Sequence, residues 1–249
     1  MYVEDDVTLF IYKAYKPHLR ACRADGTPIS VPDGMQYEGG ALPKTQAEQR
    51  AMEIAETFNA EFAEWTSPET FEELVQGAKE NFAFLTEIGL DWNGGHSLEM
   101  DCELYQTEQM ISVDALVYSY SGGAHPNTVL LGWNYDLTTG EFFAVESLAE
   151  EAEEFSTLVT EEIIAQAQAK AKEYGVEPEM FFWEDYREIA ANWGSYAVSF
   201  DENGMKIGYS PYEMASYAAG RQEFTLSYEQ IDPNLSEHGR MLLGLNETE

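Results

Sequence analysis

Apolar residues recur at three- and four-residue steps from about Lys44 to Trp65. Ala47, Ala51, Ile54, Ala55, Phe58, Phe62 and Trp65 fall on one face, with Glu53, Glu56, Glu61 and Glu64 off it. That spacing predicts an amphipathic helix. Ser67-Pro68 then opens a second helix, because a serine hydroxyl caps free N–H groups and proline suits the first helical position. Phe71, Leu74, Val75, Ala78 and Phe82 form its stripe. A long helix is expected over about Ser147 to Tyr174, through Leu148, Phe155, Leu158, Val159 and Ile163, with Gly175 as its stop. FFWEDYREIAANW reads as a shorter one.

Elsewhere the period is two. Leu98, Met100, Cys102 and Leu104 alternate with Glu99, Asp101 and Glu103, the mark of a strand with one buried and one wet face. QTEQ (106–109) turns the chain into a second, more apolar strand, MISVDALVYSY. Further strands are expected at Val7–Tyr12, Thr128–Asp136 and Glu223–Tyr228. YAVSF and MKIGYS flank Asp201-Glu202-Asn203-Gly204, a hairpin turn with glycine where positive φ is needed. Pro17, Gly26, Pro28, Pro32 and Gly34 break the early chain into extended segments and loops.

Helices come singly or in pairs between hairpins, not as βαβ units. The fold class expected is therefore α+β: antiparallel hairpins packed with a few amphipathic helices, in two subdomains. The pattern changes near residue 125. Residues 1–125 read as an N-terminal subdomain, 126–232 as a C-terminal one that can share its sheet, and 233–249 as a polar tail.

Charge changes the picture most. The 249 residues hold 46 Asp plus Glu against 13 Lys plus Arg, a formal net charge of -33. Such a polyanion repels nucleic acid, whose binding needs clustered cations, and anionic lipid surfaces. It attracts basic proteins in a salt-dependent way, or simply keeps the chain soluble. No apolar run is long enough to span a membrane, and MYVEDDVTLFIYKAY lacks the basic start and apolar core of a signal peptide. Cys22 and Cys102 permit one disulfide without requiring it. The four histidines form no H-x-x-x-H pair, so neither a metal nor a cofactor is expected.

SYSGGAHPNT (119–128) concentrates hydroxyls, glycines and a histidine. Ser121 and His125 invite a nucleophile–base reading, but the G-x-S-x-G elbow is missing. His125 is better placed to order the loop, with Pro126 restraining it to extended backbone. Asp201-Glu202-Asn203-Gly204 lacks the alternating ligands of a calcium loop. The chain has no phosphate-cradling G-x-x-x-x-G-K-[ST]. YSPYEMASYAAG (209–220) gathers Tyr209, Pro211, Tyr212 and Tyr217. Tyrosine offers contact area and a polar tip at low entropic cost, so these rings are either interface anchors or caps on the core.

SYSGGAHPNT, NYDLTTGEFFAVESL, SFDENGMKIGYSPYEMASYAAG and FTLSYEQI together resemble the extracytoplasmic region of RsiV-type anti-sigma factors. The same two-part module, a domain of unknown function, precedes the catalytic domain of PdaC-type peptidoglycan deacetylases. The resemblance covers about residues 5–232, and its most specific motifs lie in the second half. They are the Asp136-Leu137-x-Thr139-Gly140 turn and the Pro211-Tyr212-Glu213 … Tyr217-Ala218-Ala219-Gly220 loop. The resemblance implies a cell-wall-associated, extracytoplasmic receptor for lysozyme, itself strongly basic. The chain shows no sigma-binding segment, transmembrane helix or deacetylase domain, which points to a secreted or anchored relative or to an excised piece.

The expectation is a non-enzymatic binding or sensor module that takes a lysozyme-like basic protein. Its contact residues would be Ser121, His125, Tyr209, Pro211, Tyr212 and Tyr217. A carbohydrate or peptidoglycan-fragment binder is the rival, with Trp92, Trp133 or Trp193 lining a groove. A hydrolase using Ser121 and His125 is a third reading.

Overall fold

The computed structural model describes residues 1–4, 6–29, 42–92 and 94–245. Pro32, Gly34 and the last residues of the expected tail lie outside them. A six-stranded sheet runs in the order β1 (Tyr2–Glu4), β2 (Val7–Ala14), β3 (His96–Gln106), β4 (Met110–Tyr120), β5 (Asn127–Asp136), β6 (Glu141–Phe142). Its ladders are antiparallel except β2–β3, where Phe10 lies parallel to His96. A parallel pair needs a long crossover, and α1 (Gln46–Glu61) and α2 (Pro68–Glu87) lie within that connection. Both helices start where the caps place them: Thr45 accepts from Glu48 N and Ser67 from Thr70 N.

The second half supplies α3 (Ala152–Glu173), α4 (Pro178–Phe181), α5 (Tyr186–Ala191) and a three-stranded sheet of β7 (Ala197–Asp201), β8 (Gly204–Tyr209) and β9 (Gln222–Ser227). It closes with α6 (Tyr228–Ile231) and α7 (Glu237–Leu243). Phe155, Val159, Ile163, Ala167 and Ala171, spaced by four, form the buried stripe of α3 and join Phe200, Met205, Ile207, Phe224 and Leu226 in the largest core. Phe58 and Phe62 pack with Ile111, Val113 and Tyr135 in a second core under α1. A third lies under α2, around Leu9, Phe10, Val75 and Ala78.

β4 and β5 are shared between these layers. Ile111, Val113 and Tyr135 face α1, while Ser112, Asp114, Gly132 and Asn134 face β7 and β8. Ser112 lies opposite Asn134 in the ladder, and Asp114 opposite Gly132. Ser112 Oγ donates to Asn134 Oδ1 (2.8 Å) and accepts from Phe200 N (2.7 Å). Asn134 Nδ2 donates to Val198 O (3.0 Å). The unpaired edge of β7 is thus satisfied by two side chains of the other sheet. Gly132 permits the approach, since a Cβ there would sit 2.4 Å from Val198 O. Lys206 of β8 pairs with Asp114. Burial alone would lower the Lys206 ammonium, but Asp114, with Glu223 and Glu103 nearby, holds it above its ordinary value.

Residue 125 lies in the β4–β5 hairpin, inside one continuous ladder, and the change of sheet comes after Phe142. Three expectations are corrected. The long helix begins at Ala152, not Ser147, because the backbone of Leu148, Ala149 and Glu150 is committed to the C-terminal segment: Ser236 N donates to Leu148 O (2.8 Å), Ala149 bridges Leu235, and Glu150 N donates to Asn234 O (3.0 Å). The segment after Pro233, expected to be a polar tail, also carries core residues over its described part. It forms α7, capped by Ser236, and buries Leu235, Leu242 and Leu243 in the main core. Leu104, expected inside, is 55 % exposed, while its neighbour Tyr105 is the residue that packs against the main core.

α7 is also tied to the β5–β6 turn. His238 Nε2 lies 3.2 Å from Asp136 Oδ2, and Asp136 Oδ1 accepts from Thr138 N, Thr138 Oγ1 and Thr139 N. Burial would raise the Asp136 carboxyl, but the hydrogen bonds outweigh it and hold the group below its usual range.

Two outcomes are expected in urea melts. Gly132→Ala costs ~1–3 kcal/mol, because β7 must be pushed off the sheet. A cost below the error of the melt would contradict the close approach. A depressed carboxyl contributes stability that is present above its unfolded value of ~4 and lost as pH falls through the folded one. Asp136→Asn is therefore expected to lose ~1–3 kcal/mol at neutral pH. It should also flatten the fall in stability below about pH 4. An unchanged acid limb would contradict that sign.

Candidate functional site

The two-sheet contact sets the β8–β9 connection beside the β4–β5 loop. Leu130 N, in the fourth residue of β5, donates to Ser210 Oγ (3.1 Å) at the start of the other loop. From there residues 210–217 fold back on themselves. Glu213 N donates to Ser210 O (3.0 Å), Ser210 N donates to the Glu213 carboxylate, and Tyr212 N donates to Ala215 O (3.1 Å). The segment after α4 clamps the outside: Trp183 N donates to Met214 O (3.0 Å), Trp183 Nε1 to Tyr212 O (3.0 Å), and Phe182 bridges Ala215. Met214 and Ala215 are buried.

This clamp forces Tyr212 to φ 76°, the left-handed region that a bulky side chain avoids. Strain of this kind persists where surrounding contacts over-determine it. Its effect here is to turn the Tyr212 ring outward, 54 % exposed.

There it meets His125. The His125 ring stacks on Tyr217 (centroids 3.8 Å, planes 21° apart) and lies 6.1 Å from Tyr212, while Tyr212 and Tyr217 are 5.6 Å apart. His125 Nδ1 is 2.9 Å from Pro126 O, and Nε2 is 3.2 Å from the Tyr212 hydroxyl. In the neutral ring the carbonyl fixes the proton on Nδ1, so Nε2 accepts from the tyrosine. Both nitrogens are occupied, and neither is aimed at Ser121.

Of the six expected contact residues, the structure brings His125, Tyr212 and Tyr217 into one cluster. Pro211 is half-buried beside Tyr212, and Ser121 is exposed at the start of the β4–β5 loop. Tyr209 is a correction. It ends β8 on the inward face, in step with Met205 and Ile207, and is fully buried against Tyr196 (4.5 Å) and Phe224 (5.8 Å). Its hydroxyl has no hydrogen-bond partner among the described residues, and burial pushes its pKa up. A residue in that position cannot touch a partner.

Trp183 was not anticipated. It is 38 % exposed and followed by exposed Glu184 and Asp185. The signal was present in FFWED, a tryptophan set against two acids. Nearby, burial first, and then the carboxylates of Glu213 and Asp185, push up the Tyr196 hydroxyl. Of the three tryptophans considered for a groove, Trp193 is buried, and Trp133 packs on Phe62 and Trp65 and donates to Glu61 (3.1 Å). Trp92 lines a cleft beside His96, away from the His125 cluster. Among the described residues no group of His, Cys, Asp and Glu is arranged to hold a metal, and no helix is long and apolar enough to cross a membrane. Both cysteines are free thiols, Cys102 donating to Tyr15 O (3.1 Å).

The chain is therefore an α+β protein of two stacked sheets, with an aromatic cluster displayed where their loops meet. Residues 142–229 match a family described as a protein of unknown function, DUF3298. That segment contains the 210–217 loop and not the β4–β5 loop. Among solved structures, a member of the DUF3298 family from Bacteroides fragilis is similar at 15 % identity, over 89 % of this chain and 86 % of that one, with a TM-score of 0.56. A DUF3298 family protein from Pseudomonas aeruginosa PAO1 matches at 15 % identity over 70 % of this chain and 72 % of its own, with a TM-score of 0.46. Among curated proteins none matches. The Bacteroides likeness shows the fold, and it extends well beyond the matched segment.

If Tyr212 is strained, relief should be measurable. Tyr212→Gly frees the backbone and loses ring contacts of similar size, so its stability stays within ~1 kcal/mol of the parent. Tyr212→Val places a β-branched residue at the same φ and falls ~1–3 kcal/mol below the glycine variant. Equal urea midpoints for the two would contradict the strain.

Proposed function

We propose that the protein is a non-enzymatic binding module whose His125–Tyr212–Tyr217 cluster docks a basic protein of the lysozyme type. The observation that carries the reading is the cluster itself. Two loops far apart in sequence meet to display stacked rings held by a strained and clamped backbone. Rigid tyrosines with a satisfied polar tip make good anchors, because little freedom is lost when they are buried. Glu213 adjoins Tyr212 in the chain, and Glu184 and Asp185 follow the Trp183 that bonds to Tyr212 O, on a chain of net charge -33. A cationic partner is steered to such a surface and an anionic one repelled.

The resemblance of SYSGGAHPNT and the Pro211-Tyr212-Glu213 loop to RsiV-type receptors supports the same reading, and with it an extracytoplasmic setting. Pro211, next to Tyr212, then lies at the cluster's edge. Trp183 extends it on the α4 side.

Calorimetry with hen lysozyme tests this. Binding with a Kd of ~10 μM or tighter is expected at low salt, weaker at moderate salt. Tyr212→Ala should weaken it at least about tenfold, as central aromatic anchors do. No heat at either salt would overturn the partner. Full affinity in Tyr212→Ala would overturn the site.

A further inference from the structure

A cleft of about 370 Å³ opens between the C-terminal end of α2, the link into β3 and the glycines of the β4–β5 loop. It is lined by Asn81, Asp91, Trp92, His96, Tyr120 and Gly123 among others. We propose that this cleft is a second binding site, for a neutral saccharide, separate from the His125 cluster and independent of the basic-protein reading.

The aromatic part of the cleft is fixed in place. Trp92 Nε1 donates to Thr8 O (3.0 Å), and the Trp92 ring meets Phe82 at right angles (5.3 Å). The ring lies 5.5 Å from His96 with planes 29° apart. The polar part is fixed too. Asn81 Nδ2 and His96 Nε2 are 2.9 Å apart. Burial holds His96 below its ordinary value, so the ring is neutral and Nε2 accepts from the amide. That leaves the Asn81 carbonyl oxygen as an acceptor and His96 Nδ1–H as a donor, neither with a partner among the described residues. The Tyr120 hydroxyl stands at the rim, 3.2 Å from Gly123 O. Gly94 and Gly123 border open space: a Cβ on either would meet nothing within 4 Å.

The lining chemistry selects the ligand. No Lys or Arg is among the lining residues, and their one charged group is the Asp91 carboxylate. A phosphate or carboxylate ligand would be repelled. A wholly apolar one would leave the amide, imidazole and carboxylate unpaired, which is costly. A sugar ring has an apolar C–H face for an aromatic side chain and hydroxyls that both donate and accept. A few placed polar groups around an aromatic wall are what such a ligand needs, and the volume suits one or two rings.

The test is fluorine NMR of fluorotryptophan-labelled protein titrated with maltotriose, cellotriose and triacetylchitotriose, with glucuronate and inorganic phosphate as anionic controls. A saturable shift of the Trp92 resonance is expected with at least one neutral trisaccharide, at a Kd of ~0.1–5 mM. Asp91→Ala, at an exposed position, and His96→Phe, which keeps the ring packing, should each weaken it at least about fivefold. Tyr212→Ala should leave it unchanged, which separates this site from the basic-protein surface. The proposal is overturned if no neutral trisaccharide shifts Trp92 at ~20 mM. It is also overturned if an anionic control binds more tightly, or if both cleft variants bind like the parent.

Discussion

A strand laid against the face of another sheet has backbone groups on its free edge that no ladder can satisfy. Burying them unpaired would cost ~1–3 kcal/mol each. Ser112 and Asn134 remove that cost. They sit opposite one another on β4 and β5, bond to each other, and reach Phe200 N and Val198 O on β7. Each buried polar atom of the network finds a partner, so the contact fixes one register, not merely one area of apolar surface. Gly132, with no Cβ, lets β7 come close enough for those bonds to form.

The rest of the molecule follows from that register. With β7 fixed, β8 brings Lys206 to Asp114 and Ser210 to Leu130 N. The loop after β8 then starts beside the β4–β5 loop, and the clamp from Trp183 directs the Tyr212 ring at His125. α3 covers the other face of the small sheet, and its Gln166 side chain caps the exposed edge of β9, exchanging bonds with both Thr225 O and Thr225 N. The C-terminal helix locks the turn after β5 through His238 and Asp136. The aromatic cluster is thus a consequence of packing between sheets and not of either loop alone.

Local patterns made much of this legible in the sequence. The cap Ser67, the alternation at the start of β3 and the Asp201–Gly204 turn lie where short-range rules put them. What those rules could not reach was set by distant backbone. α3 starts late because Leu148, Ala149 and Glu150 are held by residues near 235. The final helix was hidden because a few leucines in a polar stretch signal burial only when a groove exists to receive them. In the site, the tyrosines were picked by composition, which cannot tell Tyr209 from Tyr212. One parity step along β8 sends the first into the core, and a left-handed backbone sends the second to the surface. Ser112 and Asn134, the residues on which the sheet contact depends, look unremarkable in their strands. Only the partner strand gives them meaning.

The dependence of the cluster on the sheet contact is open to one direct measurement. In the parent, His125 ring protons lie over the Tyr217 face and should resonate well upfield of free histidine in the NMR spectrum. Asn134→Ala removes the bond to β7 without touching either loop. The account predicts that the His125 signals then move toward free-histidine values while the β4–β5 ladder stays protected from exchange. His125 signals unchanged in a variant whose Val198–Phe200 amides have lost protection would show that the loops hold each other, and that the sheet contact does not build the site.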